Sequence, residues 1–179
     1  MSMLKLVKAT EEQWEEAYDL FYRALRKLMS EGKGDHFGGM TPEGTKRSTK
    51  DGNYLLLAYR KGDQIPVAAI SVLRDDNYQQ YDWLLLDTPR EGVATLNAMV
   101  VRPELWGQGY ARQALRLCVE ALKAEGITTL VGTFHPDNSM CHKTLNYANG
   151  GAEVETSERY IWKTPKGRIL ERKRFMLCI

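Results

Sequence analysis

The sequence predicts an α/β fold organised around a mixed β-sheet. Apolar runs of strand length alternate along the chain with longer segments whose apolar residues recur at helical spacing, and this order is typical of helices layered against a sheet. Two pairs of strand-like runs are joined by short turns, so hairpins make the sheet mixed rather than purely parallel. A length of 179 residues and a hydrophobic content of 43% fit one globular domain over residues 1–179.

The N-terminal quarter predicts a short strand and a long helix. Apolar residues in Leu4–Val7 indicate the strand, and Thr10–Gln13 has the composition of a capping box that begins a helix. The following apolar positions keep helical spacing to about Met29. Glycines crowd Gly32–Met40, which predicts a flexible loop, and a short helix is expected after Pro42.

The middle of the chain predicts a hairpin, a strand and a second long helix. Residues 54–59 and 66–73 are apolar runs separated by a polar, glycine-containing turn, which predicts a hairpin. Residues 93–101 form the next apolar run and indicate a strand. The helix that follows has one apolar face from Ala111 onward and ends before Gly126.

The C-terminal part predicts a buried strand, a short helix and a final hairpin. The strand spans Thr128–Phe134, and the helix runs to about Ala148. Two strands near 154–162 and 169–177 flank the turn Thr164–Gly167. The arginines and lysines of this tail are expected to form a solvated hairpin surface.

The connection between strand 93–101 and the following helix has the layout of an anion site. Pro103 breaks the strand, and Gly107 and Gly109 permit a turn in which successive backbone N–H groups point the same way. The new helix adds its unpaired N–H groups and the positive end of its dipole. A pyrophosphate suits this arrangement.

The string Trp106–Ala111 resembles the acyl-CoA pyrophosphate loop of the GNAT (Gcn5-related N-acetyltransferase) superfamily, usually written Arg/Gln-x-x-Gly-x-Gly/Ala. Gly109 and Ala111 match that pattern, whereas Trp106 stands where the family usually has arginine or glutamine. The order of elements is also similar over most of residues 1–179. The resemblance implies a mostly antiparallel sheet with helices on both faces and acetyl-CoA as co-substrate.

The resemblance also implies which residues bind the co-substrate. Backbone N–H groups of the loop would hold the pyrophosphate, exposed backbone groups of the preceding strand would pair with the pantetheine amides, and an asparagine after the next strand would lie near the pantetheine arm. The corresponding residues are Gly107, Gln108, Gly109, Tyr110, Ala111 and Arg112 in the loop, Met99, Val100 and Val101 in the strand, and Asn138. Lys143 or Arg116 could add positive charge at the rim, and Asn138 could equally cap the next helix.

The sequence offers fewer candidates for catalytic residues than for residues that bind the co-substrate. Many relatives place a carboxylate on the strand as general base, but Asn97 is the only polar side chain in residues 96–101, and an amide can orient a water without accepting a proton. Glu91 and Asp87 are upstream candidates for the base. Relatives often place a tyrosine two helical turns after the asparagine as general acid; Tyr147 lies nine residues after Asn138, on about the opposite helix face, so acid catalysis and core packing both stay open.

The predicted function is transfer of acetyl from acetyl-CoA to a primary amine by direct attack in a ternary complex. The acceptor would bind between Gly32–Met40 and Tyr78–Gly92, where acids and aromatic rings suit a cation, and His36 could face it. One alternative is a catalytically inactive CoA-binding or protein-interaction module. Another is an acetyltransferase acting on aminoacyl-tRNA, with the basic tail contacting phosphates.

Composition indicates which cellular compartment and which partners we expect for the protein. No apolar stretch approaches the length of a membrane span and the N-terminus lacks a signal-peptide core, so we expect a cytoplasmic protein with no membrane partner. Three scattered cysteines indicate reduced thiols, and no Cys/His spacing indicates a metal site. A net charge of +2 is too small to argue for nucleic acid. A homodimer is left open.

Overall fold

The computed structural model describes residues 3–74, 90–164 and 167–179. Its strands are β1 Leu4–Lys8, β2 Tyr54–Arg60, β3 Ala68–Leu73, β4 Val93–Val101, β5 Thr129–Phe134, β6 Glu155–Thr156, β7 Tyr160–Lys163 and β8 Ile169–Cys178. They form one open sheet in the order β1-β2-β3-β4-β5-β8-β6, with β7 added on β8. Among the described strands only β4 and β5 pair in parallel; all other neighbours are antiparallel.

Helices cover both faces of this sheet, which confirms the predicted fold class. The α-helices are α1 Trp14–Ser30, α2 Pro42–Arg47, α3 Tyr110–Ala124 and α4 Ser139–Ala148. The predicted capping box forms ahead of α1, where Gln13 bonds reciprocally with Thr10. Among the described segments, no helix is long and apolar enough to cross a lipid bilayer.

Alternation of side chains along the strands divides the core into two clusters. In β2, Leu56 and Ala58 pack with the cluster that includes α3, whereas Leu55 and Leu57 pack with the cluster that includes α1. Successive strand residues point to opposite faces of a sheet, so a continuous apolar run serves both layers. The sheet is therefore held between α1 and α3.

The predicted strand 154–162 is interrupted in the structure. It divides into β6 and β7, because Ser157 lies between them and breaks the regular ladder with β8. The Ser157 hydroxyl accepts the backbone N–H of Arg174 at 2.9 Å, and the Ser157 N–H donates to the Arg174 carbonyl at 3.0 Å. A side-chain oxygen thus replaces a ladder carbonyl at this position.

Strands β4 and β5 are paired at one end and diverge at the other. The parallel ladder joins Val93–Leu96 to Thr129–Gly132, and both strands continue beyond it. Ser71 of β3 faces Ala98 while its neighbour Val72 faces Leu96, so Asn97 is an extra residue in β4. Such a β-bulge bends and twists its strand. The bend at Asn97 accounts for the divergence and leaves one edge of residues 97–101 without a strand neighbour among the described residues.

Candidate functional site

The open edge of β4 presents backbone groups of Met99 and Val101. The Arg102 N–H donates to the Val67 carbonyl of the β3 side at 2.8 Å. Because the backbone groups of successive strand residues point to alternate edges, those of Val100 face β3 and those of Met99 and Val101 face the opening. The sequence predicted that backbone groups of Val100 would pair with the pantetheine amides, and the structure corrects this, because the N–H and C=O of Val100 point toward β3 inside the sheet.

The predicted anion loop follows directly from this edge. Gly107 and Gly109 have φ angles of 77° and 82°, a left-handed conformation that favours glycine. Gly109 is the N-cap of α3 and provides no capping side chain, and the first turn of the helix contains no acidic residue. The N–H groups of Tyr110, Ala111 and Arg112 lie in the first helical turn, where intrahelical partners are lacking. An anion can satisfy them.

Trp106 fixes the loop to the strand. Its indole Nε1 donates to the Val101 carbonyl at 2.7 Å, and its ring packs against both core clusters. The hydrogen bond occupies a carbonyl at the open edge, so Met99 and the N–H of Val101 are the backbone groups left there by the described residues. The tryptophan thus packs against the core and also joins the loop to the open edge.

Ion pairs hold both flanks of the loop. Arg102 donates to Asp63 in the β2–β3 turn at 3.0 Å, and Arg60 bonds the same carboxylate at 2.9 Å. The hydrogen bond from Arg60 is the main cause that lowers the pKa of Asp63. On the other side, Arg23 of α1 pairs with Glu104. Preorganisation of this kind reduces the ordering cost of ligand binding.

Of the remaining loop residues, two are partly engaged by the protein. The ring of Tyr110 is buried, so this residue offers a ligand its backbone rather than its hydroxyl. The Gln108 N–H makes a long contact of 3.4 Å to the Leu105 carbonyl, and its side chain bonds the Glu104 carbonyl. The open edge, two left-handed glycines and an acid-free helix start adjoin one another along residues 99–112, and this surface offers strand-type hydrogen bonds at one end and free helix N–H groups at the other.

A model of the acetyltransferase (GNAT) family matches residues 10–144 of the chain. The chain belongs to the GNAT acetyltransferase family. Membership confirms acetyl-CoA as the predicted co-substrate and acetyl transfer as the general reaction. Among curated protein sequences, none matches this GNAT protein.

Solved acetyltransferases share the GNAT fold at low sequence identity. Ribosomal-protein-S5-alanine acetyltransferase from Vibrio fischeri is 11% identical, with a TM-score of 0.68, over 99% of this chain and 94% of that one. Ribosomal-protein-S18-alanine N-acetyltransferase from Escherichia coli is 17% identical, with a TM-score of 0.66, over 99% and 94%. The Salmonella typhimurium protein yncA, solved with its cofactor acetyl-CoA, is 11% identical, with a TM-score of 0.66, over 98% and 94%. These similarities concern the fold and leave the acceptor of this GNAT protein open.

Asn138 caps α4 of the GNAT fold. Its Oδ1 accepts the Cys141 N–H at 3.1 Å, which is the capping role that the sequence allowed. A contact with the pantetheine arm remains a prediction. The two rim cations lie on different helices: Arg116 forms an ion pair with Glu120 at 3.2 Å along α3, and Lys143 is exposed on α4.

Tyr147 lies against Arg112 of the predicted anion loop rather than in the core. The guanidinium of Arg112 lies 5.4 Å from the centre of its ring, and 46% of the tyrosine is exposed. This exposure rules out the alternative of plain core packing. The structure therefore joins two predicted site residues, one on α3 and one on α4, while the proton-donor role remains a prediction.

Asn97, expected to orient a water, and Glu91, a candidate for the general base, lie at different ends of β4. Asn97 sits at the bulge, is exposed, and donates through Nδ2 to the Ser71 hydroxyl and the Met40 sulfur, both at 3.3 Å. Glu91 lies in the short 3-10 turn Arg90–Gly92 that precedes β4, and the half of the strand that pairs with β5 separates it from Asn97. The structure does not bring Glu91 to the open edge. Asp87 lies outside the described residues.

Thiol catalysis has little support at this site. Burial raises the pKa of the Cys118 and Cys141 thiols to about 12, so both are protonated at neutral pH and are weak nucleophiles. Within residues 3–74, 90–164 and 167–179 there is also no group of at least three side chains arranged to hold a metal ion.

A cluster beside the glycine-rich loop was not predicted as a unit. His36 stacks on His135, which follows β5, with ring centres 4.8 Å apart. Burial, and next the charge of His135, lowers the pKa of His36, which favours its neutral form. Arg172 of β8, expected on a solvated surface, is instead only 3% exposed. Sequence periodicity could not place it, because the hairpin and the loop meet only in three dimensions.

Proposed function

We propose that this GNAT protein transfers acetyl from acetyl-CoA to a primary amine by direct attack in a ternary complex. The observation that carries the proposal is the continuous surface from the open edge of β4 to the first turn of α3. One end of that surface offers strand-type hydrogen bonds, and the other offers an anion site. Acetyl-CoA is a molecule with amide groups in its middle and a pyrophosphate at one end, and it matches both.

Each part of this surface has a distinct task in the proposal. The N–H groups from Gly107 to Arg112 hold the pyrophosphate, and the side chain of Arg112 adds positive charge. The backbone of Met99 and the N–H of Val101 pair with the pantetheine amides as an added strand would. Asn138 contacts the pantetheine arm from the start of α4. These contacts orient the thioester toward the bulge at Asn97.

Catalysis then rests mainly on positioning, because a thioester is already reactive. The amine nitrogen forms a bond to the acetyl carbonyl carbon as the carbon–sulfur bond breaks. The amine gives up its proton to a water that Asn97 orients, and the departing sulfur receives a proton from the Tyr147 hydroxyl. Glu91 would require a water chain to contribute, given its distance along β4.

Calorimetric titration of acetyl-CoA into the wild-type protein and the Gly109→Glu variant tests the cofactor site. We expect binding by the wild type and no measurable heat with the variant. The reason is that a glutamate at this position would bring bulk and negative charge into the pyrophosphate site, at a φ of 82° that disfavours a side chain.

Gly52→Glu is the matched control. Gly52 has nearly the same φ, 83°, and open space around it. It precedes β2, whose Tyr54 faces Val72 of β3, at the end of the sheet remote from the loop. The control variant should bind acetyl-CoA like the wild type. Equal binding by all three proteins would contradict the proposed site, and binding without transfer to any amine would favour the inactive CoA-binding module.

A further inference from the structure

Next to the carboxyl end of β5, strand β8 contains a buried cation, Arg172, that forms no ion pair with the residues the structure describes. Arg172 is the register partner of Tyr160 in β7. It directly precedes Lys173, which is opposite Phe134 at the carboxyl end of β5. Its Nη1 donates to the Asp35 carbonyl at 2.7 Å and to the Glu171 carbonyl at 2.9 Å. Both acceptors are neutral backbone oxygens.

The acidic side chains next to Arg172 are committed to other arginines. The carboxylate of Asp35 pairs with Arg168 at 3.1 Å, and that of Glu171 pairs with Arg159 at 3.2 Å. Within the described ranges, no carboxylate lies within ion-pair distance of Arg172. Desolvation is the main cause that lowers the pKa of Arg172. A guanidinium retained in such a place is costly unless an anion completes the site.

The residue beside Nη2 of the guanidinium is a glycine, which provides no side chain there. A Cβ added at Gly38 would lie 3.7 Å from Nη2 of Arg172 and 4.0 Å from the Trp162 ring. Gly38 belongs to the loop predicted to border the acceptor, and it puts no side chain beside this nitrogen, in a region where Arg172 as a whole is only 3% exposed. A guanidinium presents paired donors in a fixed plane that match the two oxygens of a carboxylate.

We propose that Arg172 binds a carboxylate of the acyl acceptor, so that the acceptor is an amino acid or a similar small amine that carries a carboxylate near its amino group. This inference rests on the proposed acetyl transfer. The stacked His36 adjoins Asp35, and its neutral form does not repel the ammonium end of such a molecule. The cation of Arg172 would bind the carboxylate, and the uncharged imidazole of His36 would lie near the amine, an arrangement that suits a zwitterion.

The test measures acetyl transfer to the protein amino acids and to their α-amides at saturating acetyl-CoA. Each amide lacks the carboxylate of its amino acid and also has a less basic amine. The decisive comparison is therefore how Arg172→Gln changes the ratio of the two KM values, since the basicity of each amine is the same for both proteins. Wild type should show a KM for its best amino acid at least about tenfold below that of the matching amide, as expected for loss of one charge-assisted pair. In Arg172→Gln the KM for the amino acid should rise to that of the amide, and the KM for the amide should stay unchanged.

Two further variants separate recognition from folding. Gly38→Leu keeps the arginine and covers Nη2, so it should raise the KM for the amino acid without changing acetyl-CoA affinity. Lys163→Gln removes an exposed cation of the same hairpin that does not contact Asp35 or Glu171, and it should leave the preference for amino acids intact. If Arg172→Gln fails to fold, Gly38→Leu decides the question.

The outcomes also distinguish this inference from the proposed function. A protein that binds acetyl-CoA but acetylates amides as well as amino acids, or that acetylates none of the amino acids, overturns the role of Arg172 alone. A protein that does not bind acetyl-CoA overturns the proposed function itself. An equal loss of activity toward both series in Arg172→Gln, with Gly38→Leu unaffected, would assign the arginine a purely structural role.

Discussion

At the scale of single residues, two side chains take roles that their positions in the sequence did not specify. Trp106 replaces the arginine or glutamine that the GNAT loop pattern leads one to expect, and its Nε1 bonds the Val101 carbonyl. Tyr147, misaligned with Asn138 on α4, lies against Arg112 of α3. Trp106 thereby joins the predicted anion loop to β4, and Tyr147 contacts a residue of the same loop. Neither contact could be read from spacing within one element.

The Tyr147→Phe variant tests the proton-donor role of the hydroxyl. Phenylalanine keeps the aromatic face beside Arg112, so acetyl-CoA affinity should be unchanged. Loss of a general acid should slow acetyl transfer by on the order of a hundredfold. Single-turnover kinetics and titration of acetyl-CoA measure the two effects separately. Tyr22→Phe, which alters an exposed tyrosine on α1, is the control; equal rates in all three proteins would show that the hydroxyl does not act as the acid.

At the scale of elements, the bulge in β4 decides where a ligand can approach the sheet. Val93–Leu96 pair with β5, whereas Met99 and Val101 face the opening. The sequence predicts one uninterrupted strand, because all residues from Leu96 to Val101 except Asn97 are apolar. The bulge lies in the register against β3, and it separates the half of the strand that pairs with β5 from the half that we propose binds acetyl-CoA.

Deletion of Asn97 tests this division of the strand. The deletion restores a regular register with β3 and keeps Ala98 opposite Ser71, so we expect a folded protein with a less divergent β4. Acetyl-CoA affinity should fall by about tenfold or more, which corresponds to losing about 1.4 kcal/mol of strand-type hydrogen bonding. Calorimetry measures the affinity, and circular dichroism checks the fold.

Asn97→Ala is the control for this deletion. It removes the amide but keeps the extra residue, so acetyl-CoA should bind as tightly as to the wild type. A deletion variant that binds acetyl-CoA normally would show that the bulge does not create the open edge.

At the scale of the whole molecule, one sheet joins two core clusters that lie on its opposite faces. Phe21 of α1 is fully buried in one cluster and Leu115 of α3 is 1% exposed in the other. The sheet includes strands from both ends of the chain, since β1 and β8 belong to it. Loss of either helix layer would expose apolar faces of the same strands, so we expect the two layers to unfold together.

Denaturant unfolding of Phe21→Ala, Leu115→Ala and the double variant tests this coupling. Each substitution removes a buried side chain and should lower the free energy of unfolding by about 3 kcal/mol. Because the two sites lie on opposite faces and share no partner, their effects should add to within about 0.5 kcal/mol. Tryptophan fluorescence and circular dichroism should give the same midpoint in each protein. Two separate transitions would instead show that the layers unfold independently.

The sequence by itself determined the order and type of the elements, the mixed sheet, the position of the glycine loop and the acetyltransferase family, because periodicity, capping and glycine requirements are local. Only the tertiary structure decided which backbone groups β4 exposes, that Tyr147 meets Arg112, and that Arg172 is buried beside Asp35. Those features depend on strand register and on contacts between segments more than a hundred residues apart in places. Sequence patterns within one element do not indicate which distant segments will meet, whereas the packing of side chains in the folded protein determines those contacts.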